Sequence, residues 1–156
     1  LNFKDIRLLL VGPLEDKLDP LNKKTKFLID SNEKMISVGF QKDVRPYFAI
    51  ANILTFPSYR EGFPNVVMQA GAMNLPSIVS NINGCNEIII EGENGWIIPV
   101  KDEAAIFKAM KNCLIKRNEF VKFKSNARAM IVERYEQQVV WDAILTEYKS
   151  LEDNVS

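Results

Sequence analysis

Histidine is absent from this chain of 156 residues, and that absence removes a wide range of chemistry. Without it there is no Ser-His-Asp or Cys-His catalysis, and the commonest ligand of catalytic zinc is missing. No Asp-x-Asp pair occurs either, so a divalent ion held by carboxylates has no evident seat. The expectation is chemistry without a protein-bound metal and without a cofactor. Cysteine is scarce: Cys85 and Cys113 stand at a spacing that matches no metal or redox motif. They could pair, but a reduced, cytoplasmic setting is the simpler expectation. Long apolar runs are missing, none approaching the roughly 20 residues that span a bilayer. Net charge is missing as well. Twenty basic residues balance twenty acidic ones, so no overall field favours nucleic acid as a partner.

What is present is ordinary for a globular protein: 47% apolar and 26% charged residues. The length fits one domain over residues 1–156. The chain opens at Leu1 rather than Met and reads as a piece of something longer. Short apolar, β-rich runs at Arg7–Val11, Met35–Val38, Ile53–Phe56, Ser77–Ser80 and Trp96–Pro99 alternate with helical patterns. That alternation is the signature of an α/β protein, here a Rossmann-like parallel sheet of about five strands flanked by helices. Asp19 and Pro20 are expected to open the first helix, Asp43 to cap the second, and Pro64 to begin the third at its first helical position. A short helix is expected near Asn86. From about residue 102 the chain turns helical. Apolar stripes run through Ile106, Phe107, Met110 and Leu114, then Phe120, Phe123, Ala127 and Ile131, then Trp141, Ile144, Leu145, Tyr148 and Leu151. They read as core packing. Lys101 to Arg134 holds nine basic residues against four acidic. A solvated helical face is the first reading of that excess, and a weak attraction to anionic lipid the second.

Ligands of an open parallel sheet bind beyond the carboxyl ends of its strands. Three loops fall there, 39–42, 57–63 and 81–85, and the middle one is the most informative. Gly62 permits close approach of the backbone to a ligand, or a positive φ. The helix after Pro64 points free N–H groups and partial positive charge at the loop, which suits phosphate. Phosphate would repel Glu61, so its carboxylate better accepts hydrogen bonds from sugar hydroxyls. Phosphate beside a polyhydroxyl group describes a nucleotide sugar. A plain strand-to-helix turn with an exposed Glu fits the same residues about equally well.

The extended pattern decides between them. Ser58-Tyr59-Arg60-Glu61-Gly62-Phe63-Pro64-Asn65-Val66-Val67-Met68-Gln69-Ala70, followed by Leu75-Pro76-Ser77-Ile78-Val79-Ser80, resembles the donor-site segment of group-one retaining glycosyltransferases of the GT-B fold. The flavour is that of enzymes building bacterial capsule, O-antigen or exopolysaccharide. The resemblance continues through Gly84-Cys85-Asn86-Glu87 and Glu91-Gly92-Glu93-Asn94-Gly95 to an aromatic-rich final segment, Tyr135 to Tyr148. It implies that the chain is the donor-binding half of a GT-B enzyme, with Glu61 on the donor sugar as the catalytic residue. Ser58 and the backbone of Gly62, Phe63, Pro64 and Asn65 would line the sugar and diphosphate, and Phe40 and Gln41 would flank the base. Where the family carries a second glutamate for the ribose hydroxyls, this chain has Gln69. Its amide keeps a neutral hydrogen bond and loses the charge-assisted one.

The resemblance also implies parts that the chain does not contain. The family's donor domain opens with a strand whose exit loop carries an Arg and a Lys that grip the diphosphate, and this chain starts one βα unit later. An acceptor-binding N-terminal domain is expected elsewhere in the same protein. The absent strand would be the central one, so the five remaining strands either close up or leave an apolar seam. The implied partners are a nucleotide-sugar donor and a glycan or lipid-linked acceptor, in a cytoplasmic protein in peripheral contact with the inner membrane. A non-catalytic nucleotide-sugar-binding module is the alternative. A signalling receiver would need acidic residues clustered at strand ends, and none stand there.

Overall fold

The computed structural model describes residues 6–14 and 20–153. All five expected strands and all seven expected helical segments form. Sequence places the chain in one domain; its contacts gather in two compact units, Leu1–Tyr47 and Phe48–Ser156.

In the first unit, β1 (Leu8–Leu10) and β2 (Met35–Ser37) pair in parallel with Leu8 opposite Met35. α1 (Lys23–Ser31) connects them. Its cap is Asn22, whose side chain accepts from the Thr25 amide at 2.8 Å. Asn22 thus does what sequence assigns to Asp19, which lies outside the described residues, and Pro20 precedes the helix instead of opening it. The polar amide at Asn22 satisfies an otherwise orphaned helix donor, and this outweighs proline's fixed φ. Asp43 does act as expected, accepting from the Arg45 amide at 3.0 Å at the entry to α2 (Arg45–Ile50). Its carboxyl pKa is held down at about 2 by the Arg45 side chain that hydrogen-bonds to it.

The second unit carries the other three strands, all parallel, in the order β3 (Leu54–Phe56), β4 (Ser77–Ser80), β5 (Gly95–Ile98). The five strands therefore lie in two sheets, and no ladder joins them among the described residues. Apolar patterning selects strands well, but it does not choose which edges pair. Every residue of β4 is buried. Alternation along the strands sends Val79 to one face, packed with Val67, Cys85, Ile88 and Ile131. Ile78, Trp96 and Ile98 go to the other, against Ala109 and Phe123. Each large apolar side chain taken from water there contributes about 1.5–3 kcal/mol. The first face is covered by α3 (Asn65–Ala72), the short α4 (Cys85–Ile88) and the far half of α6 (Arg117–Tyr135). The second is covered by α5 (Glu103–Ile115), capped by Asp102, and by the first half of α6.

Two of the helical stripes behave differently from expectation. Phe107 and Leu114 are exposed while their neighbours Ile106 and Met110 pack inward. In α7 (Gln137–Asp153), Trp141, Ile144, Leu145, Tyr148 and Leu151 share one face as the period requires, yet all are exposed. Period reports amphipathicity; it does not report what covers the apolar side.

Gly95 marks the tightest approach between strands. A Cβ there would lie 2.1 Å from the carbonyl oxygen of Ser77, its partner across the ladder. Gly95→Ala should therefore destabilise the unit by about 1–3 kcal/mol, the usual range for overpacking, seen as a lower urea midpoint. An unchanged midpoint would contradict the β4–β5 register.

Candidate functional site

The loops that follow β3, β4 and β5 leave the carboxyl ends of three adjacent parallel strands. In the first of them the Ser58 hydroxyl donates to Glu61 Oε1 at 2.7 Å. The half-buried carboxylate is thereby held through one of its two oxygens. The negative charge of Glu61 is also felt by the Cys85 thiol, whose pKa is pushed up to about 11, first by burial and then by that carboxylate.

The helix behind the loop starts one residue later than sequence suggests. Pro64 is the N-cap of α3 (φ −76°, ψ 101°), and Asn65 is the first helical residue. The Pro64 carbonyl accepts from Val67 at 3.0 Å and from Met68 at 3.4 Å. The amides of Asn65 and Val66 are left without an intramolecular partner among the described residues. They are the donors such a terminus offers an anion. Asn65 and Gln69, one turn apart, are both exposed and lie on the same face of α3.

Of the two uses sequence allows Gly62, the positive φ is not taken, and a Cβ on it would meet nothing within 4 Å. Gly84, in the loop after β4, has φ +75°, and a Cβ there would lie 2.3 Å from Gly62 O and 2.8 Å from Pro64 Cδ. The loop after β3 rests directly on the backbone of Gly84. Glu87 accepts from the Gly84 amide at 3.1 Å, so α4 begins at this contact. A glycine followed three residues later by glutamate is the visible part of a capping box and could have marked the position. Lys101, just past β5, sets its ammonium 5.3 Å from the centroid of the Tyr59 ring. It brings a positive charge beside the loop that holds Tyr59.

Of the residues singled out by sequence, Ser58, Glu61, Gly62, Phe63, Pro64, Asn65 and Gln69 lie in the second unit, on one loop and the helix it enters. Ser58 differs from expectation in one respect: its only hydroxyl proton goes to Glu61, so it orients the carboxylate first. Phe40 and Gln41 belong to the first unit, the Phe40 ring exposed and the Gln41 amide donating to Val38 O at 2.7 Å. That unit also holds a cavity of about 410 Å³ lined by Leu8, Leu10, Leu28 and Met35 among others, which neither residue lines. Among the described residues, no three His, Cys, Asp or Glu side chains gather as metal ligands would.

Parallel strands flanked by helices define a Rossmann-like α/β protein, an architecture whose ligands generally bind beyond the carboxyl ends of the strands. Residues 2–116 match the family model for glycosyl transferases group 1, and the chain belongs to that family. It is 23% identical over 146 residues to the capsular polysaccharide biosynthesis glycosyltransferase CapM of Staphylococcus aureus, covering 94% of this chain and 38% of CapM. Among solved structures it is similar to a glycosyltransferase from Rickettsia africae, with 20% identity, a TM-score of 0.82, and 96% of this chain and 41% of that one covered. It is also similar to HepE of Anabaena in complex with UDP-glucose, with 18% identity, a TM-score of 0.81, and 94% and 42% covered. At these identities the structural likeness establishes the fold, that of half of a GT-B protein. The chain thus spans about two fifths of the length of each protein it matches here.

Proposed function

We propose that this chain is the donor-binding half of an enzyme that transfers a sugar from a nucleotide diphosphate sugar to a glycan or lipid-linked acceptor in polysaccharide biosynthesis, with retention of configuration. The observation that carries the reading is the pairing of two features on one short stretch. The Glu61 carboxylate, oriented by Ser58, is suited to sugar hydroxyls, and the free amides of Asn65 and Val66 are suited to phosphate. Membership of the group 1 family and the UDP-glucose bound to the Anabaena protein support it. Glu61 orients the donor sugar, and the backbone of Gly62, Phe63, Pro64 and Asn65 lines the sugar and diphosphate. Gln69 meets the ribose. The work of the site is positioning and stabilisation of the leaving diphosphate, without a metal. A further domain of the same protein takes up the acceptor and completes the cleft.

In the full-length protein, Glu61→Ala should lower transfer by about a hundredfold, the scale set by misplaced reactants. Folding stability should move by no more than about 0.5 kcal/mol, as for other surface substitutions. Rates with a panel of nucleotide diphosphate sugars decide this, and an undiminished rate would remove Glu61 from the site. Donor binding without any turnover would favour the non-catalytic module instead.

Gln69 makes a separate expectation. A neutral hydrogen bond contributes about 0.5–1.5 kcal/mol and a charged one about 1.5–3, so Gln69→Glu should tighten UDP binding by up to about tenfold. Calorimetric titration of Gln69→Glu and Gln69→Ala in the full-length protein is the measurement. Unchanged affinity in both would show that Gln69 does not touch the ribose.

The same reading places the protein at the cytoplasmic face of the inner membrane, where a lipid-linked acceptor is presented. α5 and α6 expose the apolar Phe107, Ile115 and Val121 and also Lys108, Lys111 and Lys124, residue types suited to an interface with anionic headgroups. The full-length protein should co-sediment with phosphatidylglycerol vesicles and not with phosphatidylcholine vesicles, and equal recovery with both would refute this contact.

A further inference from the structure

The loop assigned to the donor is not held by its own backbone. Among the described residues, no backbone-to-backbone hydrogen bond involves Ser58 through Phe63. Besides Lys101 at the Tyr59 ring, two contacts from outside hold the end of the loop that enters α3. One is Gly84, on which Gly62 and Pro64 rest. The other is aromatic: the Phe63 ring meets Tyr135 edge-on, with centroids 5.4 Å apart and planes at 67°, a favourable geometry for an aromatic pair.

Tyr135, the last residue of α6, is itself firmly fixed. Its hydroxyl donates to Glu87 O at 3.0 Å, near the end of α4. The guanidinium of Arg134 lies 4.9 Å from the centroid of its ring. Arg134 in turn donates to Glu87 O at 2.9 Å and to Ile88 O at 2.6 Å. The Glu87 and Ile88 carbonyls at the end of α4, the second of which also accepts from the Asn94 side-chain amide at 3.1 Å, thus anchor the end of α6. That anchored end carries the ring on which Phe63 leans.

We propose that Tyr135 is a positioning residue for the donor site: clamped by Arg134 and α4, its ring holds Phe63 and so sets where Gly62 to Asn65 present their backbone and where Glu61 stands. The proposal rests on the donor-site reading and adds to it a residue remote in sequence that touches no substrate. The Tyr135 ring is the active element, and its hydroxyl only fixes the ring.

The test compares Tyr135→Leu with Tyr135→Phe in the full-length protein, using UDP-glucose titration and the rate of tryptic cleavage after Arg60 in the folded protein. In Tyr135→Leu, cleavage after Arg60 should accelerate and UDP-glucose affinity should fall, each by about tenfold. Amides in β4, which are held in the ladder, should keep their protection from hydrogen exchange. Tyr135→Phe retains the ring and should restore both readouts to within about twofold of wild type. Tyr135→Met provides the same comparison if the leucine variant does not fold. Loop cleavage unchanged in Tyr135→Leu or Tyr135→Met would overturn the proposal. So would a Tyr135→Phe variant as impaired as either, because the hydroxyl would then be the essential group. If wild type binds no UDP-glucose, the donor-site reading fails, while the cleavage data still judge the role of Tyr135.

Discussion

Burial of β4 between β3 and β5 is the constraint on which the second unit depends. A strand flanked on both edges and covered on both faces must send apolar residues both ways, and Ile78 and Val79 do so on consecutive positions. The three helices that cover the first face are then tied together. Gly71 of α3 lies so close to α6 that a Cβ would be 2.7 Å from the Ile131 side chain. Arg128 donates to the Ala72 carbonyl at the end of α3. With α3 fixed against α6 and α4 fixed by Arg134 and Tyr135, the carboxyl end of the sheet becomes a rigid platform. A loop with no hydrogen-bond ladder of its own can then hold a defined shape.

The chemistry divides between side chain and backbone. Glu61 contributes a formal charge, which an anionic ligand would oppose if it stood alone. The start of α3 contributes partial positive charge that needs no ionisable group, and Lys101 adds a full positive charge near the same loop. Negative and positive elements sit side by side along the chain, and a ligand that is polyhydroxyl at one end and anionic at the other satisfies both. Histidine-free chemistry is consistent with such a division, because orienting two ends of a substrate asks for no proton relay.

Much of the fold was legible because it rests on local rules. Strand positions, the Asp43 cap and the inward stripe of Phe120, Phe123, Ala127 and Ile131 follow from pattern and propensity. The division into two sheets was not legible, since pairing is decided by edges distant in sequence. Nor was the exposure of the α7 stripe. At the site, Glu61 and the α3 terminus could be read from one continuous segment. Gly84 and Tyr135 could not be given their roles, because those roles exist only where separate loops and helix ends meet. The positive φ that sequence allowed at Gly62 is found instead at Gly84. A loop glycine in a sequence shows that freedom is available, but not which glycine the packing requires.

The two tryptophans of the chain occupy opposite environments. Trp96 is 7% exposed and packs edge-on against Phe123 with centroids 4.4 Å apart, whereas Trp141 on α7 is 55% exposed. An indole in a dry aromatic pocket emits to the blue of one in water and is shielded from soluble quenchers. The chain therefore carries its own two-colour optical reporter. One component follows the integrity of the β5–α6 core, the other follows whatever comes to lie on the apolar side of α7, and a single emission spectrum separates them without any added label.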